Sequence, residues 1–342
     1  MNGKSILIIS TNWIGDAVMS MPALQRFRQE HPEAEITVLA RPLVLALWQM
    51  HPAVNFFQPL EKTAQLFPMV GKLRQKNFDC AFSFPNSFRS ALVPFLAGVP
   101  ERIGFSGQWR GGMLTRIVPR TEGHQQFEAA AILGVQGELP APQLDVPPES
   151  FQTLESNCVA AQCFASHGPC LFGNSKSPII TLLPGAARGP SKRWPAEHFM
   201  MLAKRLHKDL GAQVLLGGGP DDAAVCEEIA AGADSGVVSL AGQTTVSEWA
   251  ALLKSSDCVV SNDSGGMHLA TAVGTPVVGV FGVTDPGKTG PLGKSIVLQK
   301  SDLQNRDIKR ASEEAVRALA AIRPDEVFEA AQTLLSAADP MG

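Results

Sequence analysis

Residues 258–284, CVVSNDSGGMHLATAVGTPVVGVFGVT, read as a strand, a small-residue turn, a helix and a second strand. The first apolar run ends in Ser261-Asn262-Asp263-Ser264-Gly265-Gly266, His268 falls just inside the helix, and the second apolar run starts at Pro276. That succession aims backbone N–H groups and the positive end of a helix at a bound anion. Gly265 and Gly266 would let a phosphate approach the main chain with no Cβ in the way. Asp263 is out of character there, because a carboxylate repels phosphate; turned toward the hydroxyls of a sugar it makes sense. The same residues also suit an ordinary tight turn of an αβ unit, where small side chains only satisfy geometry.

The alternation continues along the whole chain. Strands are expected at 5–10, 35–40, 54–58, 78–84 and 101–105, then at 178–183, 213–218, 236–240, 257–261 and 276–282. Most are unbroken apolar or β-branched runs, as parallel strands covered on both faces require. Helical patterns fall at 22–30, 43–51, 87–97, 195–210, 222–231, 246–255 and 266–273. Two such series predict an α/β chain of two doubly wound, Rossmann-like sheets, at 1–170 and 178–322. The stretch 136–177, rich in Pro, Ser, Gln and Gly, separates them, with a helix at 150–165 and a hinge at 168–177. A last helix, opened by Pro324-Asp325-Glu326 and reaching 338, is expected by analogy to pack on the first domain. Ligands of such sheets sit beyond the carboxyl ends of strands, and a cleft between two facing domains is the natural site.

Composition narrows the function classes. The 342 residues suffice for two cores, with 45% hydrophobic and 18% charged residues. A formal net charge of −3 argues against general nucleic-acid binding, which needs a basic excess. The N-terminal MNGKSILIIS reads as a first strand and not a secretory signal, and no apolar run approaches the roughly 20 residues of a membrane helix. A cytoplasmic protein is expected, touching a membrane at most from outside. Six cysteines in this length make no disulfide framework, and Cys80 and Cys258 sit in apolar runs as small hydrophobes. Cys158, Cys163, His167 and Cys170 fall within thirteen residues, but their spacing lacks the close C-x2-C pair of usual zinc sites.

Residues with chemical potential follow the expected strands. Asp16, after Ser10-Thr11-Asn12-Trp13-Ile14-Gly15, is either a helix-terminal carboxylate favoured by the macrodipole or a general base at the ligand edge of the sheet. Asn86, Ser87 and Arg89 could receive a polar substrate, or Asn86 or Ser87 could simply cap a helix. The loop Pro184-Gly185-Ala186-Ala187-Arg188-Gly189-Pro190-Ser191-Lys192-Arg193 joins glycine, three cations and a helix start, a combination suited to an anion. Leu216-Gly217-Gly218-Gly219-Pro220-Asp221-Asp222 invites a dinucleotide reading, but Asp222 stands where the third glycine belongs and Pro220 lacks an N–H. Asp221 or Asp222 could still bond a ribose or cap the helix. His268 could reach a phosphate or sugar oxygen, or bond backbone in the core. No P-loop, H-E-x-x-H, G-x-S-x-G or D-x-D is present.

Together NWIGDAVMSMPAL, PNSFRSALVPFLAGVPERIGF, PGAARGPSKRWPAEHF and SNDSGGMHLATAVGTPVVGVFGVTDP, spread in order over residues 5–286, resemble the lipopolysaccharide heptosyltransferases. The PNSFRSAL and PGAARGPSKRWP forms look more like the branch adding the second inner-core heptose than the branch adding the first. The resemblance implies a GT-B fold and an inverting transfer from ADP-L-glycero-β-D-manno-heptose to a heptosylated Kdo–lipid A acceptor at the inner membrane surface. No metal cofactor is expected beside a diphosphate that has no D-x-D site, and neither nucleic acid nor a protein partner is expected. The resemblance places the catalytic aspartate on Asp16 and the phosphate-binding lysine on Lys192, in the loop whose Gly185 is also expected to bind the donor. The pyrophosphate turn falls on Ser264, Gly265 and Gly266, with Asp263 facing the heptose and His268 beside it. The ribose contact falls on Asp221, and the acceptor is assigned to Asn86, Ser87 and Arg89. Arg102 and Arg110 are further candidates for acceptor phosphates or carboxylates, or else surface arginines. One departure stands out: the family commonly carries cysteines before its last helix, whereas residues 301–323 have none and read as helical. A nucleotide-sugar 2-epimerase and a two-domain binding protein are the rival readings.

Overall fold

The computed structural model describes residues 1, 3–60, 65–160, 177–187, 189–233, 236–301 and 312–337. It divides into two units, residues 1–145 and 146–342, each built on a six-stranded parallel sheet.

In the first unit the strands are β1 (Ser5–Ile9), β2 (Glu35–Ala40), β3 (Phe56–Pro59), β4 (Cys80–Ser83), β5 (Glu101–Phe105) and β6 (Arg116–Val118). Their order is β3-β2-β1-β4-β5-β6, so the chain builds outward from β1, returns, and builds the other way from β4. The reversal makes the gap between β1 and β4 the topological switch point, where an open parallel sheet receives ligands. Ile6, Leu7 and Ile8 in β1 are fully buried, as expected of a central strand covered on both faces. The helices are α1 (Ile14–Glu30), α2 (Pro42–Trp48), α3 (Leu66–Gln75), α4 (Phe88–Leu96) and α5 (Gln126–Leu133).

The second unit repeats the plan. Its strands are β7 (Ile179–Leu183), β8 (Gln213–Leu216), β9 (Val237–Ser239), β10 (Cys258–Asn262), β11 (Val277–Phe281) and β12 (Ser295–Gln299), in the order β12-β11-β10-β7-β8-β9. Here the switch point lies between β7 and β10. The helices are α6 (Pro148–Ala160), α7 (Ala196–Leu210), α8 (Ala223–Gly232), α9 (Val246–Lys254), α10 (Gly265–Ala272), the single turn α11 (Pro286–Thr289), α12 (Glu313–Ala320) and α13 (Pro324–Ser336).

Two expectations about the units are corrected. The division falls between Asp145 and Val146, inside the expected separating stretch 136–177 but ahead of the boundary expected at 170, because α6 packs on α9 of the second unit with Ser150 and Leu154 buried. The expected hinge at 168–177 lies, but for Ser177, outside the described residues. The last helix also joins the second unit: α13 packs on α7, β10, β11 and β12, and Val327, Phe328, Ala331 and Leu334 enter that core. Its apolar stripe matches the uncovered face of this sheet, and the Arg205 guanidinium lies 4.0 Å from the Phe328 ring centroid. Among the described residues, no helix is long and apolar enough to cross a membrane.

Candidate active site

In the first unit, the residues singled out flank the switch point. The carboxyl end of β1 passes through Ser10, whose hydroxyl accepts the Trp48 indole N–H at 2.7 Å, before α1 begins at Ile14. Asp16 is half-buried in the first turn of α1, and no side-chain hydrogen bond caps that helix at Trp13. A carboxylate there is stabilised by the open N–H groups and positive end of the helix.

Beyond β4, the loop 85–90 is held from below. Ser87 caps α4, its hydroxyl accepting the Ser90 N–H at 3.3 Å. The Ser90 hydroxyl donates to the Pro85 carbonyl at 3.0 Å and the Ser87 carbonyl at 2.7 Å. Arg110, 0% exposed, donates to the Pro85 carbonyl, to the Ser87 carbonyl at 3.2 Å and to Ser90 Oγ at 2.8 Å. Burial, and then the neighbouring Arg120, lower its pKa from the ordinary arginine value. The Asn86 amide, oriented to satisfy both its ends, donates to the Ser106 carbonyl at 2.9 Å and accepts from Arg120 at 2.6 Å. Arg110 is therefore neither a surface arginine nor an open anion receptor; it clamps the loop. Arg102 is an anchor as well, donating to the carbonyls of Met113 (2.6 Å), Val99 and Pro100. Arg89 lies half-buried in the first turn of α4.

In the second unit the predicted residues converge at the β7–β10 switch point. Lys192 ends a 3-10 turn (Pro190–Lys192), and its ammonium forms a direct ion pair with the Asp263 carboxylate at the end of β10. The two side chains are 13% and 6% exposed. Asp263 is thus turned to the lysine, which answers the puzzle of a carboxylate in an anion-binding turn. Ser264 stands at the N-cap of α10 in extended conformation, without a side-chain cap bond, so the helix starts with its amides uncapped. His268, in α10, is buried at 3% exposure, and Thr271 Oγ1 donates to its carbonyl at 2.8 Å.

The residue that assembles this corner is Asn262, which carried no sequence signal. Fully buried, it donates from Nδ2 to the Pro184 carbonyl at 2.7 Å and accepts the Trp194 N–H on Oδ1 at 3.0 Å. Both ends of the Lys192 loop are thereby tied to β10. Trp194 is in turn fixed by its indole N–H to the Ile322 carbonyl at 2.9 Å, and Arg193 Nε donates to the Ala186 carbonyl at 3.2 Å. The helix α12, where cysteines were expected and not found, backs the turn: Leu319 and the Ser191 carbonyl would lie 3.0 and 3.2 Å from a Cβ placed on Gly282. Residues 302–311 lie outside the described set.

The glycines do different work from that expected. A Cβ on Gly185 would overlap the Asp222 carboxylate, so this position admits only glycine while Asp222 stays in place. Asp222 also accepts the Gly219 N–H at 3.0 Å, whereas Asp221 is exposed. Asp222, not Asp221, is thus the acidic residue set against the Gly185 loop. A Cβ on Gly266 would meet Leu183 and Trp249 at 2.6 and 2.8 Å, so its small size serves packing. Trp249 has no hydrogen-bond partner for its indole N–H among the described residues.

Among the described residues, no group of three or more His, Cys, Asp or Glu side chains is arranged to hold a metal ion. Cys163, His167 and Cys170 and the side chain of Cys158 lie outside those residues. Cys80, Cys226 and Cys258 are fully buried, and burial pushes each thiol up to about 12, as expected of inert packing residues.

The sequence pattern of glycosyltransferase family 9 (heptosyltransferase) matches residues 67–316. The lipooligosaccharide heptosyltransferase 2 of Haemophilus ducreyi is 32% identical, over 97% of this chain and 99% of its own. The lipopolysaccharide heptosyltransferase 2 of Escherichia coli is 30% identical, over 96% and 98%. The solved structure of the E. coli ADP-heptose lipopolysaccharide heptosyltransferase II superposes with a TM-score of 0.84, at 30% identity over 98% of this chain and 99% of that one.

Proposed function

The chain belongs to glycosyltransferase family 9, the heptosyltransferases, and on that footing we propose that it transfers heptose from ADP-L-glycero-β-D-manno-heptose to the heptosylated Kdo–lipid A inner core of lipopolysaccharide, with inversion at the anomeric carbon. The observation that carries this reading is identity of 30–32%, over nearly the full length of both chains, with heptosyltransferase 2 enzymes of two genera.

The roles follow from chemistry and position. Asp16 takes the proton of an acceptor heptose hydroxyl as its oxygen attacks the anomeric carbon from the face opposite ADP. A carboxylate half-buried in the first turn of α1, at the ligand edge of β1, suits a general base. The transition state is oxocarbenium-like, as in other glycosyl transfers. Negative charge grows on the departing β-phosphate, and Lys192 with the N–H groups of Ser264, Gly265 and Gly266 stabilises it. His268 and the Gly185 loop complete the donor site, with Asp222 replacing Asp221 as the better-placed ribose partner. Asn86, Ser87 and Arg89 form the edge that receives the acceptor.

Metal independence belongs to the same proposal, since a lysine and helix-terminal amides supply the positive potential the leaving group needs; full activity in excess EDTA is the expected result. So does a cytoplasmic location with transient contact at the inner face of the membrane that carries the acceptor.

A radiolabelled-donor assay, run with and without heptosylated Kdo–lipid A, tests the reading. Label should pass to lipid only when acceptor is present. Donor turnover with no acceptor would indicate an epimerase or hydrolase, and binding with no turnover a binding protein.

A further inference from the structure

We propose that Asp263 is a selectivity element of the donor site: its fixed negative charge, held beside Lys192, disfavours free ADP relative to ADP bearing a sugar. The inference rests on the donor assigned under Proposed function. Its physical basis is the ion pair between Lys192 and Asp263 and the position of Asp263 next to the N-cap residue of α10. A diphosphate that shares Lys192 and the first amides of α10 must lie within a few ångströms of this carboxylate. With exposures of 13% and 6%, the pair is little screened by water or salt.

The charges of substrate and product differ at one atom. An ADP sugar carries two negative charges, because its β-phosphate is esterified. Transfer breaks the bond between the anomeric carbon and the β-phosphate oxygen, and the electron pair stays on that oxygen. A new bond joins the anomeric carbon to the acceptor oxygen, whose proton passes to the base. The departing ADP therefore bears a third charge, mostly ionised near neutral pH. A purely cationic cradle would hold this product more tightly than the donor and slow its release. A carboxylate facing the cradle opposes that extra charge, and in a poorly hydrated site one such charge changes affinity by about tenfold or more. Lys192 is also kept from presenting a full uncompensated charge to the product.

The test compares ADP with the methyl ester of ADP on its β-phosphate, which carries two charges and no heptose, by titration calorimetry on the full-length protein. Wild type should bind the ester at least as tightly as ADP. Asp263→Asn and Asp263→Ser, checked for folding by thermal unfolding, should tighten ADP about tenfold more than they tighten the ester, which has one charge fewer. A gain for ADP no larger than for the ester, or no gain, in both folded variants would overturn the proposal, leaving Asp263 as a heptose contact or a support for Lys192. If neither variant folds, wild type decides alone, since ADP bound tenfold more tightly than the ester contradicts a repulsive carboxylate. Failure of wild type to bind either probe would remove the donor reading itself, and this inference with it.

Discussion

Asn262 and Trp194 are joined by a 3.0 Å hydrogen bond from the Trp194 backbone N–H to the Asn262 side-chain oxygen, while the same amide donates to Pro184 at 2.7 Å. One buried side chain thus sets both ends of the loop that carries Lys192. Replacing it with Ala leaves a buried carbonyl and a buried N–H without partners. Asn262→Ala should lower the unfolding free energy by about 2–4 kcal/mol. ADP affinity should fall with it, because Lys192 loses its fixed position. Urea unfolding and calorimetry read the two effects, and unchanged ADP binding in a folded variant would detach the loop from the donor site.

Gly266 separates two explanations of a glycine-rich turn. If the residue is there only for phosphate approach, Gly266→Ala in the ligand-free protein gains up to about 1 kcal/mol of helix propensity. The contacts at 2.6 Å to Leu183 and 2.8 Å to Trp249 predict the opposite. Overpacking costs about 1–3 kcal/mol and should dominate, lowering the melting temperature by a few degrees. A raised melting temperature would favour the phosphate explanation.

Arg110 makes a claim on the first unit alone. Arg110→Met removes the donors that hold the carbonyls of Pro85 and Ser87 and the hydroxyl of Ser90. The expected loss is about 2–4 kcal/mol of stability. All three bonds come from one terminal nitrogen, so Arg110→Lys, whose ammonium also gathers its donors on one atom, should restore part of the loss. A methionine variant as stable as wild type in urea would contradict the clamp.

His51 supplies a pH dependence with a definite sign. Burial lowers its pKa from 6.5 to about 3, and its imidazole packs edge-on against Trp48, 5.3 Å between ring centroids. Between these values the unfolded chain binds a proton that the native histidine refuses. The stability is therefore fully present above about pH 6.5 and lost as pH falls toward 3, by about 1.4 kcal/mol per unit. His51→Gln should flatten this part of the profile relative to wild type between pH 6.5 and 5. Parallel profiles would mean that His51 is protonated in the native state.

Much of the architecture was legible in the sequence because central parallel strands are continuous apolar runs. All ten expected strands are present, two with the expected bounds and the others displaced by at most two residues at an end. The two that escaped, β6 and β12, are edge strands with exposed or half-buried residues, and such strands carry little apolar signal. The helical pattern expected at 22–30 is the second half of α1, which begins at Ile14, beside Asp16, and accommodates Pro22 inside. In α3, Pro68 and Gly71 hid the helix in the same way. The positions of Lys192 and residues 263–266 were readable because turn chemistry is local. Asn262 and Trp249 were not, since what they meet lies far away in the chain; Asn262 and Pro184 are 78 residues apart.

Asp16 is assigned the proton of the acceptor, and Lys192 with the first amides of α10 the diphosphate of the donor. Asp16→Asn, assayed for heptose transfer and, in parallel, for ADP binding by calorimetry, tests that assignment most directly. Transfer should fall by about 10²–10⁴, the range for loss of a general base, while ADP binds as in wild type. Transfer at near wild-type rates, or equal loss of transfer and ADP binding, would contradict it.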